Sequence, residues 1–314
     1  MSEPAAAGIV YTEFRRLKAD TPLLSLWTHR SSTRERGRRR VQATADGRDE
    51  YWLDRGDPLL NTILPGTAVS LVLNLGDRWA TGPTTSTTEP VPAVCVMGPF
   101  TQAQALHLGN HVRALGAVLP ATFAPTAFGC RAGDLINRIL PLEDLWPRWR
   151  IARLLQAAGG QDDALNVEAV RRELLDAAST MPDDTVVTRA ARILTARGGR
   201  VPIHDLASAH GVSRQMLARR FGVATGLPPK HFARISRFQA LVHQLLVTDV
   251  EQWSVAAPRL GFYDQAHMIN EFRTFAGQSP TTFFQSRGQD LPSRKSGLHG
   301  RPCEWGRPAV SKDA

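Results

Sequence analysis

The chain has 314 residues, 42% of them hydrophobic, so it is long enough to form two domains with sizeable cores. It has no apolar run of the ~20 residues that cross a bilayer and no secretory signal, so we expect a cytoplasmic protein without membrane contact. The formal net charge is +9, and residues 186–287 hold 13 Lys and Arg against 5 Asp and Glu, a net +8 that suits either a polyanionic partner or a basic domain without one.

Residues 1–121 are predicted to be mostly β-structure. Short segments rich in Val, Leu and aromatic residues recur there, and clusters of Gly, Pro, Asp and Ser separate them. This spacing is typical of a small barrel, cupin-like or otherwise, or of a sandwich. The segments are Ile9–Phe14, Leu23–Trp27, Ala68–Leu75, Val91–Met97 and Val112–Leu119.

From about residue 126 the apolar spacing becomes helical. It predicts helices over Asp134–Ile139, Trp149–Ala158 and Val167–Ala178. One apolar face would contain Leu135, Ile139, Leu142 and Leu145, and another would contain Leu154, Leu155, Leu174 and Leu175. The polar stretch Ser179–Asp184 is the expected linker.

The expected fold class is therefore α+β and multidomain. Residues 1–180 would form a β-rich, then helical, regulatory or sensor domain. Residues 181–287 would form an all-α domain, and residues 288–314, rich in Gly, Pro, Ser, Lys and Arg, a mobile tail.

A helix-turn-helix unit is predicted at Val201–Gly226. Pro202–His210 is compatible with a helix, and Gly211 tolerates the positive φ that a tight turn between helices requires. Ser213 can then cap a second helix, Arg214–Phe221. That helix would bury Leu217 and Phe221 and leave its polar residues exposed.

A second unit is predicted at Val250–Gly277. A helix around Trp253–Leu260 precedes the turn Gly261-Phe262, and Asp264 can cap the helix Gln265–Phe275. That helix would bury Met268, Phe272 and Phe275.

The turn glycines of the two units are 50 positions apart, and the amphipathic helix Pro229–Leu246 lies between them. A long helix would hold the second helix of each unit at a fixed separation. At about one DNA turn, ~34 Å, the two would enter successive major grooves.

The residues of both units resemble the AraC/XylS family of transcription regulators over about residues 186–287. In the second unit the resemblance is carried by Gly261 to Met268, Phe272-Arg273, Gly277, Ser279-Pro280 and Phe283. In the first unit it is carried by Leu206-Ala207, Gly211-Val212-Ser213, Leu217, Arg219, Phe221, Gly226, Pro228 and Phe232. Leu64–Gly66, Leu71–Leu75, Gly98-Pro99 and Leu140–Trp146 also resemble the β-rich regulatory region of one subgroup, without indicating a ligand.

The resemblance implies two helix-turn-helix subdomains joined by a central helix and sequence-specific binding to double-stranded promoter DNA. It also implies control through the N-terminal domain. The further partners to expect are a small-molecule effector, a second copy of the chain in a homodimer, and RNA polymerase if the protein is an activator.

The family pattern also implies which side chains contact DNA. Gln215, Arg219, Gln265 and Asn270 correspond to base-reading positions, which suits the bidentate pairing of Arg with guanine and of Gln or Asn with adenine. Arg214, Arg220 and Arg273 suit phosphates. Ser213 and Asp264, the predicted caps, complete the set with His267, for which a packing or capping role is an equal alternative.

Pro258 departs from the family pattern, since it falls inside the helix before Gly261. Proline in a helix interior removes a hydrogen bond and can kink the helix, at a cost of ~3 kcal/mol, unless it lies in the first turn. Its presence puts the geometry of the second unit in question.

Two other hypotheses compete with a transcription regulator. His107 and His111, with Cys95 nearby, raise a small-barrel metal-dependent enzyme with an accessory DNA-binding module. No further ligand stands at a suitable spacing, the three cysteines are scattered, and no catalytic motif is present, so we expect no metal, no cofactor and no enzyme.

The other hypothesis is a protein that coats DNA without sequence preference. A basic run at Arg30, Arg34, Arg36, Arg38, Arg39 and Arg40 either forms a solvated loop or hairpin or touches DNA beside the site.

Overall fold

The computed structural model describes residues 10–17, 25–33, 50–53, 60–83, 87–109, 113–158, 170, 172–174, 185–247 and 253–285. The predicted linker Ser179–Asp184, the tail 288–314, His111 and the basic run beyond Arg30 lie outside these residues. A β-rich region with following helices precedes an all-α region, as predicted.

The β-rich region has eleven strands among the described residues, arranged in two antiparallel sheets. The larger sheet has the order β11-β8-β5-β10-β2-β1-β3, and the smaller has the order β4-β9-β6-β7. The strands are β1 Val10–Leu17, β2 Ser25–Thr33, β3 Glu50–Leu53, β4 Leu60–Ile63, β5 Ala68–Asn74, β6 Trp79–Thr81, β7 Glu89–Val91, β8 Val94–Met97, β9 Gln104–His107, β10 Arg113–Pro120 and β11 Ile139–Pro141.

Strand β5 lies inside the larger sheet, between β8 and β10, and is buried on both faces. Side chains alternate along a strand, so those of β5 pack on both sides of the sheet. Val69, Leu71 and Leu73 pack into a cluster with the helices that follow the sheet. Val72, on the other face, packs into a second cluster with residues of the smaller sheet, including Trp79. The region therefore has three layers, small sheet, large sheet and helices, which explains the nearly continuous apolar run of β5.

The predicted helix Asp134–Ile139 is wrong. A 3₁₀ turn spans Ala132–Leu135, and β11 then pairs with β8, with Ile139 opposite Met97. Leu135 and Leu142 are buried against the helices, whereas Ile139 packs towards the smaller sheet. The apolar residues serve two layers, so their spacing resembled a helical face without forming one.

The other helices of this region are α1, Ala124–Phe128, and α2, Arg148–Ala158, which agrees with the prediction for Trp149–Ala158. Leu154 and Leu174 are buried in the helical layer and Leu155 packs against it. Of the predicted helix Val167–Ala178, residues 170 and 172–174 are described, and they are helical.

The all-α region is built around one long helix, α6. Its helices are α3 Val186–Ala196, α4 Ile203–Ala209, α5 Arg214–Thr225, α6 Pro229–Val247, α7 Trp253–Arg259, α8 Gln265–Ala276 and α9 Pro280–Gln285. Phe221 of α5 meets Phe232 of α6 edge to face, at 5.1 Å between ring centroids. Phe272 of α8 lies 5.3 Å from Phe238 of α6. Both predicted units thus share one core.

Across the helices that the structure describes, none combines the length and the apolar character that crossing a membrane requires.

Candidate nucleic-acid interface

The turn of the first unit has the geometry that its sequence predicts. Gly211 adopts φ 64°, in the left-handed region that favours glycine. The backbone N–H of Val212 donates to the carbonyl of Ala207 at 3.1 Å, which closes the end of α4. Ser213 caps α5, because its hydroxyl accepts the N–H of Met216 at 3.1 Å.

The second unit repeats this turn. Gly261 adopts φ 81°, and the N–H of Phe262 donates to the carbonyl of Ala257 at 2.9 Å. Asp264 caps α8, since its carboxylate accepts the N–H of His267 at 2.7 Å. Both predicted caps are therefore present, and a negatively charged cap also suits the positive end of the helix dipole.

Pro258 does not lie in a first turn but in the last turn of α7, one residue before the helix ends. Its missing N–H leaves the carbonyl of Ser254 without the usual helical donor. The following turn is intact, because Gly261 donates to the carbonyl of Pro258 at 3.0 Å. Despite Pro258, the turn after α7 therefore has the same backbone hydrogen bonds as the turn after α4.

The second helices of the two units, α5 and α8, are called the recognition helices below. Each has 12 residues, and each ends at a glycine in the left-handed region, Gly226 at φ 74° and Gly277 at φ 75°. α5 is one turn longer than predicted. Leu217 and Phe221 are buried on α5, and Met268, Phe272 and Phe275 on α8.

Burial of one face leaves the other face of each recognition helix open to solvent. Exposed on α5 and its cap are Ser213, Arg214, Gln215, Arg219 and Arg220. Exposed on α8 and its cap are Asp264, Gln265, Asn270 and Arg273. Within the described part of the chain, none of these four arginines forms an ion pair. Their guanidinium groups are thus available to phosphates or base edges.

His267 has the capping role that its position allowed. Its Nδ1 accepts the backbone N–H of Tyr263 at 3.2 Å, while its own N–H goes to Asp264. The ring also packs edge to face on Phe262, at 5.6 Å between centroids. Because Nδ1 is an acceptor here, a neutral ring carries its proton on Nε2. His267 thus fixes the start of α8.

Two more exposed side chains lie at the same helix starts, and neither was among the DNA-contacting residues predicted from the sequence. Tyr263 is 88% exposed beside the cap of α8, and Met216 is 38% exposed in the first turn of α5. The signal that could have identified them is a large apolar or aromatic residue within three positions of a predicted helix cap. A tyrosine there can stack on a sugar or donate its hydroxyl to a phosphate.

Arginines fix the two units against each other. Arg237 of α6 donates from Nη2 to the carbonyl of Gly199 at 3.1 Å and lies over the ring of Phe262, 5.7 Å from its centroid. Burial lowers the pKa of Arg237 from its ordinary value. Arg200, in the loop before α4, donates to the carbonyl of Arg259 at 2.8 Å.

A bidentate pair holds α8 on α6. Arg234 donates to both carboxylate oxygens of Glu271, at 2.6 and 3.1 Å, and this hydrogen bonding raises the pKa of Arg234. The pair lies beside an open cleft of about 400 Å³, which Lys230, Arg237 and His267 also line. The cleft lies between the two units, and apolar residues such as Val201 and Ile203 line it together with these charged side chains.

Of the residues that raised a metal site, Cys95 and His107 are described by the structure. Cys95 is buried between the sheets, and burial raises the pKa of its thiol to about 12. His107 Nε2 lies 3.0 Å from the carbonyl of Gly82. In the ranges that the structure describes, no three His, Cys, Asp or Glu side chains form a metal-binding group.

Residues 206–286 match a family model described as a helix-turn-helix domain. The match covers most of the segment in which both units were predicted, and it confirms the resemblance that their residues carry. Among curated proteins, none matches this sequence.

Several solved structures are similar to this chain. One is ToxT from Vibrio cholerae, at 10% identity and a TM-score of 0.43, covering 84% of this chain and 99% of ToxT. Another is the C-terminal domain of AraT, a response regulator from Geobacillus stearothermophilus, at 20% identity and a TM-score of 0.32, covering 38% of this chain and 98% of that domain. A third is the AraC-like transcriptional activator CuxR, at 14% identity and a TM-score of 0.28, covering 70% of this chain and 78% of CuxR.

Proposed function

We propose that this chain, whose residues 206–286 are an AraC-type helix-turn-helix domain, is a regulator of transcription that reads promoter DNA through α5 and α8. The observation that carries the proposal is the pair of recognition helices. Each has the same glycine turn, a side-chain cap, 12 residues and an exposed polar face. They lie in a segment of net charge +8, which suits a polyanion.

The exposed side chains divide by chemistry. Gln215, Arg219, Gln265 and Asn270 are proposed to contact base edges, where Arg pairs with guanine and Gln or Asn with adenine. Arg214, Arg220 and Arg273 are proposed to bind phosphates, which fix the position of the protein without reading sequence. Ser213, Asp264 and His267 act by shaping the helix starts, and Tyr263 joins the phosphate set.

The N-terminal region is proposed to regulate the DNA-binding region. The proposed divisions of the chain are a regulatory domain at residues 1–180, a DNA-binding domain at 181–287 and a tail at 288–314. A small-molecule effector would act by binding one arrangement of the two regions more tightly than another. Self-association, contact with RNA polymerase if the protein is an activator, and a cytoplasmic location are parts of the same proposal.

Base reading is tested with Arg219→Ala and Gln265→Ala in the full-length protein. Each should relax preference at one base position by ~1–3 kcal/mol, because each removes one bidentate partner. The measurement is selection of bound sequences from randomised DNA, followed by affinities for single-base variants.

The matched control is Arg192→Ala, which removes an exposed arginine of α3, a residue outside both recognition helices. It should leave the selected sequence unchanged. A wild-type base preference in both recognition-helix variants would contradict the assignment of these residues. Equal affinity of the wild type for selected and random DNA would contradict sequence-specific binding itself.

A further inference from the structure

Both recognition helices end against the N-terminal region. At Gly226, the cap of α5, a Cβ atom would lie 2.7 Å from the carbonyl oxygen of Ala132 and 2.8 Å from Cγ1 of Ile136. Ile136 also packs against the core of the all-α region. The segment Ala132–Ile136 therefore lies directly on the C-terminal end of α5.

The end of α8 is held by a hydrogen bond from a different segment. The backbone N–H of Ala103, in the loop before β9, donates to the carbonyl of Phe275 at 2.8 Å. The last carbonyls of a helix have no donor within the helix. The N-terminal region supplies this donor, so the hydrogen bond fixes the position of Ala103 relative to the end of α8.

These two segments are joined by the side chain of Asn137. Its Oδ1 accepts the backbone N–H of Thr101 at 2.7 Å, and its Nδ2 donates to Thr101 Oγ1 at 2.9 Å. Its own backbone N–H donates to the carbonyl of Pro99 at 2.9 Å. Asn137 adopts φ 57°, and it is the one residue other than glycine with positive φ among those described. Asparagine tolerates that conformation better than most residues.

We propose that Asn137 is a positioning residue for DNA reading. By joining the segment on α5 to the segment on α8, it adds a constraint on the relative placement of the two recognition helices to those that the shared core around α6 already provides. The inference rests on the proposed function, because placement matters only if both helices read DNA. Two major grooves on one face of the duplex are a helical repeat apart, so a fixed placement selects one spacing between half-sites.

The test uses full-length Asn137→Ala and Thr101→Val, with Thr81→Val as the matched control. Thr81 also donates its hydroxyl, to the carbonyl of Ala105 at 3.0 Å, but it lies in the smaller sheet. The Asn137 and Thr101 hydrogen bonds are exposed, so their loss should leave the chain folded.

The first readout is affinity for DNA whose two selected half-sites are moved one to three base pairs closer or farther apart. The wild type and Thr81→Val should prefer one spacing by roughly tenfold or more, and both test variants should lose most of that preference. Affinity for a single half-site should stay within about twofold of wild type. The second readout is hydrogen exchange at the Ala103 amide, expected to be roughly tenfold faster in Asn137→Ala.

The two readouts separate the inference from the function on which it rests. If the wild type binds selected sites and both variants keep its spacing preference, the positioning role is wrong, whatever the Ala103 amide does. An unchanged exchange rate, or an equal loss of preference in Thr81→Val, also overturns it. If the wild type fails to prefer any selected site, the proposed function fails, while Ala103 exchange still tests whether Asn137 holds the two segments together.

Discussion

At the scale of single residues, we expect His231 to make the all-α region sensitive to acid. It lies on α6 with its Nε2 buried and unpartnered among the described residues, and its ring meets Phe275 edge to face at 6.2 Å. Burial, with repulsion from Arg234 as a smaller cause, lowers its pKa below the ordinary 6.5. Near that pH the unfolded chain therefore binds more protons than the folded one.

Stability should thus be full above pH 6.5 and should fall as the pH drops from there through the lowered pKa of His231. His231→Gln should reduce this dependence, because the replacement side chain does not titrate. The measurement is the free energy of unfolding in urea at several pH values between 7.5 and 5.5. His204→Gln, on the exposed side of α4, is the control and should keep the wild-type slope. An unchanged slope in His231→Gln would contradict the assignment.

The sequence predicted residues whose role depends on their neighbours along the chain. Ser213 and Asp264 cap helices through an N–H three residues away, which is why a local pattern was enough to find them. The role of His267 stayed open until the structure showed that its Nδ1 accepts the N–H of Tyr263. Spacing alone allowed that contact but could not choose it over a base contact.

At the scale of elements, two caps with the same backbone allow the contact on α5 to be measured. Gly226 and Gly277 have φ 74° and 75°, so alanine is strained equally at both, by ~1–2 kcal/mol. A Cβ at Gly277 would meet nothing within 4 Å, whereas at Gly226 it would meet the backbone of Ala132. Gly226→Ala should therefore be the more destabilising substitution, because Ala132–Ile136 must also move.

The measurement is thermal and urea unfolding of the full-length variants, combined with proteolysis between the two regions. Gly277→Ala supplies the cost of backbone strain alone. Equal destabilisation by the two substitutions, with equal proteolysis, would mean that the packing of Ala132 on α5 adds nothing to stability.

Helices were predicted better than strands for a physical reason. The helices α4 to α8 carry a repeat of buried residues, glycine turns and caps, and these signals agree with one another. The strands β6, β7 and β9 have only three or four residues, too few for an alternation to be visible. The helix predicted over Asp134–Ile139 was wrong because the apolar residues around Ile139 divide between two layers, and only the tertiary structure defines those layers.

At the scale of the whole molecule, the contact between the two regions could not have been predicted from the sequence. Besides the side chains of Leu64 and Ile136, it uses the backbone N–H of Ala103 and the backbone carbonyls of Ala132 and Phe275. Backbone groups are the same in every residue, so they leave no signature in a sequence. Asn137 carries a weak signal, as a residue that tolerates positive φ, but nothing in the sequence identifies Thr101 as its partner.

The division of the chain into two regions predicts how the isolated fragment 181–287 should behave. Its core is almost complete without the N-terminal region, because the buried residues around α6 come from Val187 to Phe283 and, among the residues that the structure describes, Leu64 and Ile136 alone are added from outside. The fragment also retains Thr185, which caps α3. It should therefore fold, bind single half-sites with the wild-type base preference, and discriminate less between spacings of two half-sites.

Affinity of the fragment should fall steeply with salt, since its 13 Lys and Arg against 7 Asp and Glu give it a net charge of +6 and binding releases counterions from DNA. Arg214→Ala in the fragment should reduce the slope of log affinity against log salt by about one, as expected for one lost phosphate contact. Circular dichroism establishes folding, and fluorescence anisotropy at several salt concentrations gives the slopes.

A folded fragment that does not bind selected half-sites would place essential DNA contacts in the N-terminal region. One that keeps the full spacing preference would show that α6 alone sets the separation of the recognition helices.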